Sequence, residues 1–221
     1  SFVIGVILLC NVSYGQGGHL FKGTVVDSDG KPLAGELPLG GGASVPFTAS
    51  TLGHRMLSPQ EISLKGGDDY DQALNAHQVI ADRQTRIDMI TESMASLTKA
   101  EGFTVMDDDG LMAEVAGLVE YPHPIMGQID DSFMALPPEI LVVSMRSHQK
   151  YFAVSAADGT LAPRFITIAN MAPDAKRDAM IRAGNERVLK ARLADARFFW
   201  DQDCAQPLSE NVAKLTGITF F

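Results

Sequence analysis

The sequence predicts an α+β fold with a mainly antiparallel sheet and packed helices. Two β-rich runs, Arg146–Val154 and Pro163–Asn170, flank an Asp158-Gly159 turn, which is the signature of a hairpin. Helical periodicity lies on either side of that pair, over Tyr70–Ala100 before it and Ile181–Trp200 after it. Strands in the middle with helices around them point to a layered α+β domain.

From the start of the chain, Phe2–Cys10 is the most hydrophobic stretch, and nine residues fall well short of the roughly 20 that span a bilayer as a helix. Two readings compete for it: a buried strand, or the apolar region of a secretory signal with Ser13-Tyr14-Gly15 as a small-residue cleavage site. Phe21–Leu33 then joins a β-rich run to Asp29-Gly30 and Lys31-Pro32, a hairpin signal. Glu36–Gly42, with Pro38 and three successive glycines, has turn and linker chemistry and marks the internal boundary. The expected domains are therefore residues 1–42 and 43–221.

In Tyr70–Ala100, Leu74, His77, Val79, Ile80, Ile87, Ile90, Met94 and Leu97 recur mostly at three- and four-residue steps. The reading is two helices in succession, capped at the start by Asp68 and Asp69. Gly102 ends the run, Phe103-Thr104-Val105 is a short strand, and Asp107-Asp108-Asp109-Gly110 is a turn or N-cap for a helix over Leu111–Val119. Tyr121-Pro122-His123-Pro124 cannot be helical, and Leu136-Pro137-Pro138-Glu139 opens a helix or turn leading into Ile140–Met145. In the last long helix Leu189, Leu193, Ala196 and Trp200, at steps of four, three and four, form one apolar stripe expected to be buried.

Composition bounds the function. The 221 residues are 46% hydrophobic and 20% charged, enough for one large or two small globular domains, and the net charge of −9 argues against a whole-surface nucleic-acid or membrane binder. Cys10 and Cys204 are far apart and outside any C-x-x-C, so neither a disulfide framework nor a cysteine metal site is expected, and a reducing compartment fits. The fingerprints of dinucleotide binding, the phosphate-binding P-loop, the H-E-x-x-H metalloproteases and the G-x-S-x-G hydrolases are absent from the sequence. The aspartate triplet lacks the alternating oxygen ligands and distal Glu of a calcium loop, and no metal site is assigned.

One basic island stands out. Arg182, Arg187, Lys190, Arg192 and Arg197 against Glu186 and Asp195 give a local +3 in an acidic chain. It reads either as a solvated helix whose long stems cover apolar surface or as a phosphate-contacting face, since guanidinium groups match phosphate oxygens bidentately. His54 and His148 each sit beside cations, which suits neutral hydrogen bonding.

Five segments carry a family resemblance: Thr51–Pro59, Glu114–Pro122, Leu136–Glu139, His148–Phe152 and Gly184–Trp200 occur in this order in the beta subunit of bacterial glycyl-tRNA synthetase. From about residue 44 to 221 the chain resembles the N-terminal region of that subunit, and Leu215–Phe220 looks like the lead into the family's next domain. The resemblance implies a fold like the editing-type domain of the phenylalanyl enzyme's beta chain. It implies a part in glycine–tRNA ligase, through tRNA binding and subunit assembly in the cytoplasm, with no membrane contact. ATP-dependent glycine activation, and the Mg that goes with it, belongs to the alpha subunit; no catalytic residue and no bound cofactor carry over to this chain. Implied partners are the alpha subunit, tRNA(Gly) and a second beta subunit in a heterotetramer.

Position by position, the resemblance makes Arg146, His148, Lys150, Arg187, Lys190, Arg192 and Arg197 the tRNA-binding candidates, and leaves Gly53, His54, Arg55, Gln149 and Asn185 as motif residues of unassigned role. Leu52 stands where the family usually has Arg, which removes one candidate phosphate partner. Residues Gly23–Gly35 instead resemble the opening hairpin of small β-sandwich domains that precede outer-membrane receptors. The start is therefore a divergent N-terminus, a fused reading frame, or a secreted β-rich binding module joined to a synthetase-like fragment.

Overall fold

The computed structural model describes residues 11–15, 18–22, 36–38, 44–46, 50–64, 70–207, 209–210 and 212. The apolar run Phe2–Cys10, the Asp29-Gly30 turn, the caps Asp68 and Asp69, and the segment Leu215–Phe220 lie outside these. The chain divides into two units, Ser1–Arg86 and Ile87–Phe221, with the division in the first turn of a helix.

The described part of the first unit is built of antiparallel hairpins. Strand β1 (Asn11–Gly15) pairs with β2 (Gly18–Lys22), β3 (Glu36–Pro38) with β4 (Ser44–Pro46), and β5 (Ser50–Leu52) with β6 (Glu61–Ser63). Glu36–Pro38, read from Pro38 and the three following glycines as the start of a linker, is thus strand, with Leu37 opposite Val45. Helix α1 (Tyr70–Ala76) follows, and Ile62, Leu64, Tyr70, Leu74 and Val79 close a small core. At Gln78 the backbone turns left-handed (φ 61°), and Asp82 then caps helix α2 (Arg83–Ala100) by accepting from the Thr85 N–H at 2.6 Å. The periodic stretch is two helices in succession, as its pattern predicts.

The second unit is a four-stranded antiparallel sheet in the order β7-β9-β10-β8, built from β7 (Thr104–Val105), β8 (Pro122–Gln128), β9 (Phe152–Ser155) and β10 (Leu161–Asn170). Both prolines of β8 lie on an edge strand, the place in a sheet where Pro is tolerated. The β9–β10 hairpin turns at Gly159 (φ 82°), where the sequence places it. Alternation along the strands sends side chains to opposite faces. Phe152, Val154 and Ile166 pack with Ile90 and Met94 of α2 and with Leu111, Val115 and Ala116 of helix α3 (Asp109–Leu118). Ala153 and Phe165, with Tyr151 just before β9, pack with Leu141 of helix α4 (Pro138–Ser144), Met145 just after it, and Leu189 and Leu193 of helix α5 (Ala175–Ala205). The α+β expectation with an antiparallel sheet is met.

Two local expectations are corrected. Residues 146–149 are not strand: Met145–Gln149 continues α4 as a π-helical turn that ends in a left-handed Lys150 (φ 57°). The β-branched run Ile140–Val143 looks strand-like, but Leu141 and Met145, four apart, are both fully buried on one helical face, and that burial decides the conformation. The apolar stripe of α5 holds for Leu189 and Leu193, each 1% exposed, is only half-buried at Ala196, and fails at Trp200, which is 38% exposed, because the core that α5 packs into takes in Leu189 and Leu193 and not Trp200.

Candidate functional site

The basic island sits on α5, so its placement depends on how α5 is docked. Pro173-Asp174 starts the helix, with the Asp174 carboxylate accepting from the Arg177 N–H at 2.7 Å. Leu189 and Leu193 supply the apolar anchor, on the order of 1.5–3 kcal/mol each. A polar anchor accompanies it. The Tyr151 hydroxyl donates to Asn185 Oδ1 at 2.5 Å, Asn185 Nδ2 donates to the Ile181 carbonyl at 2.9 Å, and the Tyr151 ring stacks on Phe165 with centroids 4.6 Å apart. Burial pushes the Tyr151 hydroxyl up to about 12, so it stays a donor across the physiological range. Asn185 is therefore a positioning residue.

Four of the seven basic candidates are tied to neighbours. Arg146 donates to Asp108, whose carboxylate also caps α3 by accepting from the Leu111 N–H at 2.8 Å. Lys150 pairs with Glu114 at 2.8 Å, from the left-handed residue that ends the π-helical turn. Lys190 reaches Asp130 at 2.7 Å, and Arg197 donates to the Ser132 carbonyl while its guanidinium lies 4.5 Å from the Phe133 ring centroid. Lys190 and Arg197 are seven residues apart and so share a helical face, and both hold the Asp130–Phe133 turn. The Arg146 and Lys190 hydrogen bonds hold the Asp108 and Asp130 carboxyls below the usual carboxylate range, backed by the Leu111 N–H at Asp108 and by Ser132 at Asp130.

The other three candidates, His148, Arg187 and Arg192, are exposed, as is Arg182, and none has a hydrogen-bond or ion-pair partner among the described residues. Arg182, Arg187 and Arg192 follow at five-residue steps, each about 140° further round the helix, so they encircle α5 instead of forming one stripe. Gln149 is half-buried in the turn that ends at Lys150.

The other motif residues form a separate loop in the first unit. Gly53 is required by packing, since an added Cβ would lie 2.2 Å from the Ser58 carbonyl oxygen and 2.9 Å from the His77 Cβ. His54 is fully buried, and its Nδ1 accepts from the Met56 and Leu57 N–H groups at 3.2 and 3.1 Å. Its ring thus folds the Arg55–Leu57 turn by accepting two backbone hydrogen bonds. Arg55 is exposed at the tip. Ser58 and Gln60 hydrogen-bond His77 Nδ1 at 2.8 and 3.2 Å, closing the loop onto the end of α1.

Comparison with known proteins bears on this arrangement. The glycyl-tRNA synthetase beta subunit family matches residues 38–221, which takes in α5, its anchors and the Gly53 loop. The chain belongs to that family. It is 46% identical over 176 residues to a glycine–tRNA ligase beta subunit of Rhodospirillum centenum, covering 80% of this chain and 24% of the relative. It is 42% identical over 201 residues to the corresponding subunit of Phenylobacterium zucineum (86% and 30%), and 43% identical over 174 residues to that of Paracoccus denitrificans (77% and 25%). The chain spans about a quarter to three tenths of the length of these relatives.

Family membership carries no residue roles with it, and the geometry sorts the motif residues. Gly53, His54 and Asn185 shape and hold the scaffold, Arg146, Lys150, Lys190 and Arg197 are bonded within it, and Arg187, Arg192 and His148 face outward. Sequence reading missed the acids that engage the cations, Asp108, Glu114 and Asp130. A signal existed for Asp130: Asp-Asp-Ser is an N-terminal cap pattern, and the Lys190–Arg197 spacing marks a shared face. Nothing local in the sequence links Arg146 to Asp108, 38 residues away.

Proposed function

We propose that this chain is part of a glycine–tRNA ligase, where it contributes tRNA binding and subunit assembly. Family membership over residues 38–221 carries the reading, and the outward Arg187 and Arg192 on a firmly docked helix give it a surface. ATP-dependent glycine activation then belongs to the alpha subunit, and the partners are that subunit, tRNA(Gly) and a second beta chain in the cytoplasm. Residues 43–221 are in this reading built like the editing-type domain of the phenylalanyl enzyme's beta chain. Among the described residues no three His, Cys, Asp or Glu side chains converge to hold a metal ion. No helix among them is long and apolar enough to cross a membrane.

In an acidic chain, RNA contact requires cations that are not already neutralised. Lys190 and Arg197 are poor probes, because their loss releases the Asp130–Phe133 turn. The test is a salt titration of tRNA(Gly) binding to a beta subunit of full family length bearing this sequence, parent against Arg187→Ala with Arg192→Ala. Each lost phosphate contact should flatten the slope of log affinity against log salt by about 1, up to about 2 for the pair. An unchanged affinity and slope in a folded double variant refutes the RNA role and leaves assembly. Glycine-dependent pyrophosphate exchange by the purified 221-residue chain would refute the division of labour between subunits.

A further inference from the structure

Beyond Arg197, α5 carries three consecutive aromatic residues that belong to none of the cores of the described residues: Phe198 is 57%, Phe199 62% and Trp200 38% exposed. Every residue from Phe198 to Pro207 is exposed, and so is Val212. The only ring contact among the three is an edge-to-face approach of Phe198 and Phe199, centroids 5.5 Å apart. Such side chains normally bury 150–250 Å² each, so three in a row on one helical overhang make an unusual surface for a chain to leave in water.

Geometry and charge narrow what covers them. Consecutive helical residues differ by about 100°, so the three rings span roughly 200° of the helix perimeter. A flat partner reaches one side of a helix; this arc needs a partner that encloses it. The overhang also carries Asp201 and Asp203 and, from Phe198 to Pro207, no Lys or Arg, which repels phosphate and disfavours a nucleic acid. It favours an apolar protein pocket with basic residues at its rim. The relatives supply a source of one, since the region matched by this chain is 24% of the Rhodospirillum centenum subunit and the other three quarters lie outside it.

We propose that Phe198, Phe199 and Trp200 are an intrachain docking key, enclosed in the full-length beta subunit by a basic-rimmed apolar pocket from the part of the subunit outside the matched region. The proposal rests on family membership and is independent of the RNA-binding reading, because its surface excludes Arg187 and Arg192.

The test is hydroxyl-radical footprinting with mass-spectrometric readout. It compares the 221-residue chain alone with the Rhodospirillum centenum subunit in which this chain replaces the matched region. Buried Phe165 and Phe152 serve as internal standards of folding. In the isolated chain the three aromatics should be oxidised far faster than Phe165. In the chimaera they should be oxidised as slowly as Phe165, and Phe198→Ser with Phe199→Ser should restore rapid labelling of Trp200 without exposing Phe165. If the chimaera leaves Phe165 unprotected, an equimolar mixture of this chain with the separately produced remainder of the relative gives the same reading. Rapid labelling that persists in the folded chimaera overturns the proposal. So does protection that appears only on adding alpha subunit, only on adding tRNA, or in the isolated chain at any concentration, the last assigning the cover to residues 1–86 or to a second copy.

Discussion

Replacing Gly127 with Ala should destabilise the fold, against the usual benefit of Ala over Gly in regular structure. Gly127 lies in β8 directly opposite Phe165 of β10, and the Phe165 ring crosses the space where a Cβ would be. That Cβ would lie 2.4, 2.7 and 3.1 Å from three ring carbons. The ring has nowhere to go: it is fully buried and stacked on Tyr151, whose hydroxyl is bonded to Asn185 on α5. Overpacking of this kind costs about 1–3 kcal/mol. The intrinsic advantage of Ala over Gly offsets roughly 0.5–1 kcal/mol. The net loss should be up to about 2.5 kcal/mol, read as a lower urea midpoint by far-ultraviolet circular dichroism at unchanged slope. Combining Gly127→Ala with Phe165→Leu should cost less than the sum of the two, a coupling of about 1 kcal/mol or more. Gly184→Ala is the control, because a Cβ there meets nothing within 4 Å and the helix should gain up to about 1 kcal/mol. A stabilising Gly127→Ala, or strict additivity with Phe165→Leu, refutes the close-packing argument.

Leu189→Ala should cost about 2–5 kcal/mol in the same urea titration, against under roughly 0.5 for Val188→Ala on the exposed side of α5. Asp108→Ala removes both the cap of α3 and the Arg146 partner and should cost about 1–2 kcal/mol, with Asp108→Asn recovering part of the cap contribution. The depressed Asp108 and Asp130 carboxyls give stability that is complete above the ordinary carboxylate range and is lost as pH falls through and below it; melting temperature should therefore decline below about pH 4, less steeply in Asp130→Asn. Tyr151 works in the opposite direction: its pKa is raised, so its contribution is complete below about pH 10 and is lost between there and about 12, a loss that Tyr151→Phe should abolish.

What could be read in advance, and what could not, follows from the range of the interaction that decides each feature. The Asp158-Gly159 turn, the Asp108 cap and the two-helix reading of residues 70–100 rest on side chains within four positions of the backbone they act on, and such signals survive in a linear text. The helical state of Arg146–Gln149 was hidden because β-branched propensity and the four-residue step of Leu141 and Met145 point different ways, and only the buried face against α5 chooses between them. Trp200 continues the stripe of α5 faultlessly, yet periodicity says which face of a helix is apolar and not how far its partner extends. The basic island misled for a related reason. Its net charge was counted along the helix, while the compensating Asp130 comes from a turn 60 residues away.

That distinction changes which side chains can meet a phosphate. A cation held by a carboxylate offers RNA only the difference between two bound states, because the carboxylate it abandons is left facing the same polyanion. Arg146, Lys150 and Lys190 each carry that penalty through Asp108, Glu114 and Asp130, and Arg197 gives up a carbonyl and an aromatic ring. Arg187 and Arg192 have no such partner among the described residues to give up. An RNA surface on α5 should therefore respond more to Arg187→Ala and Arg192→Ala than to Lys190→Ala, although Lys190 belongs to the same island. The 140° between the two arginines adds a second condition: one RNA strand can cover both only if it crosses the helix, so their effects on the salt slope should add if it crosses and should reside in one residue if it runs alongside. An equal or larger loss of tRNA affinity from Lys190→Ala, in a variant that keeps the Asp130–Phe133 turn folded, would show that the Asp130 pairing is exchanged for phosphate and would remove this order of preference.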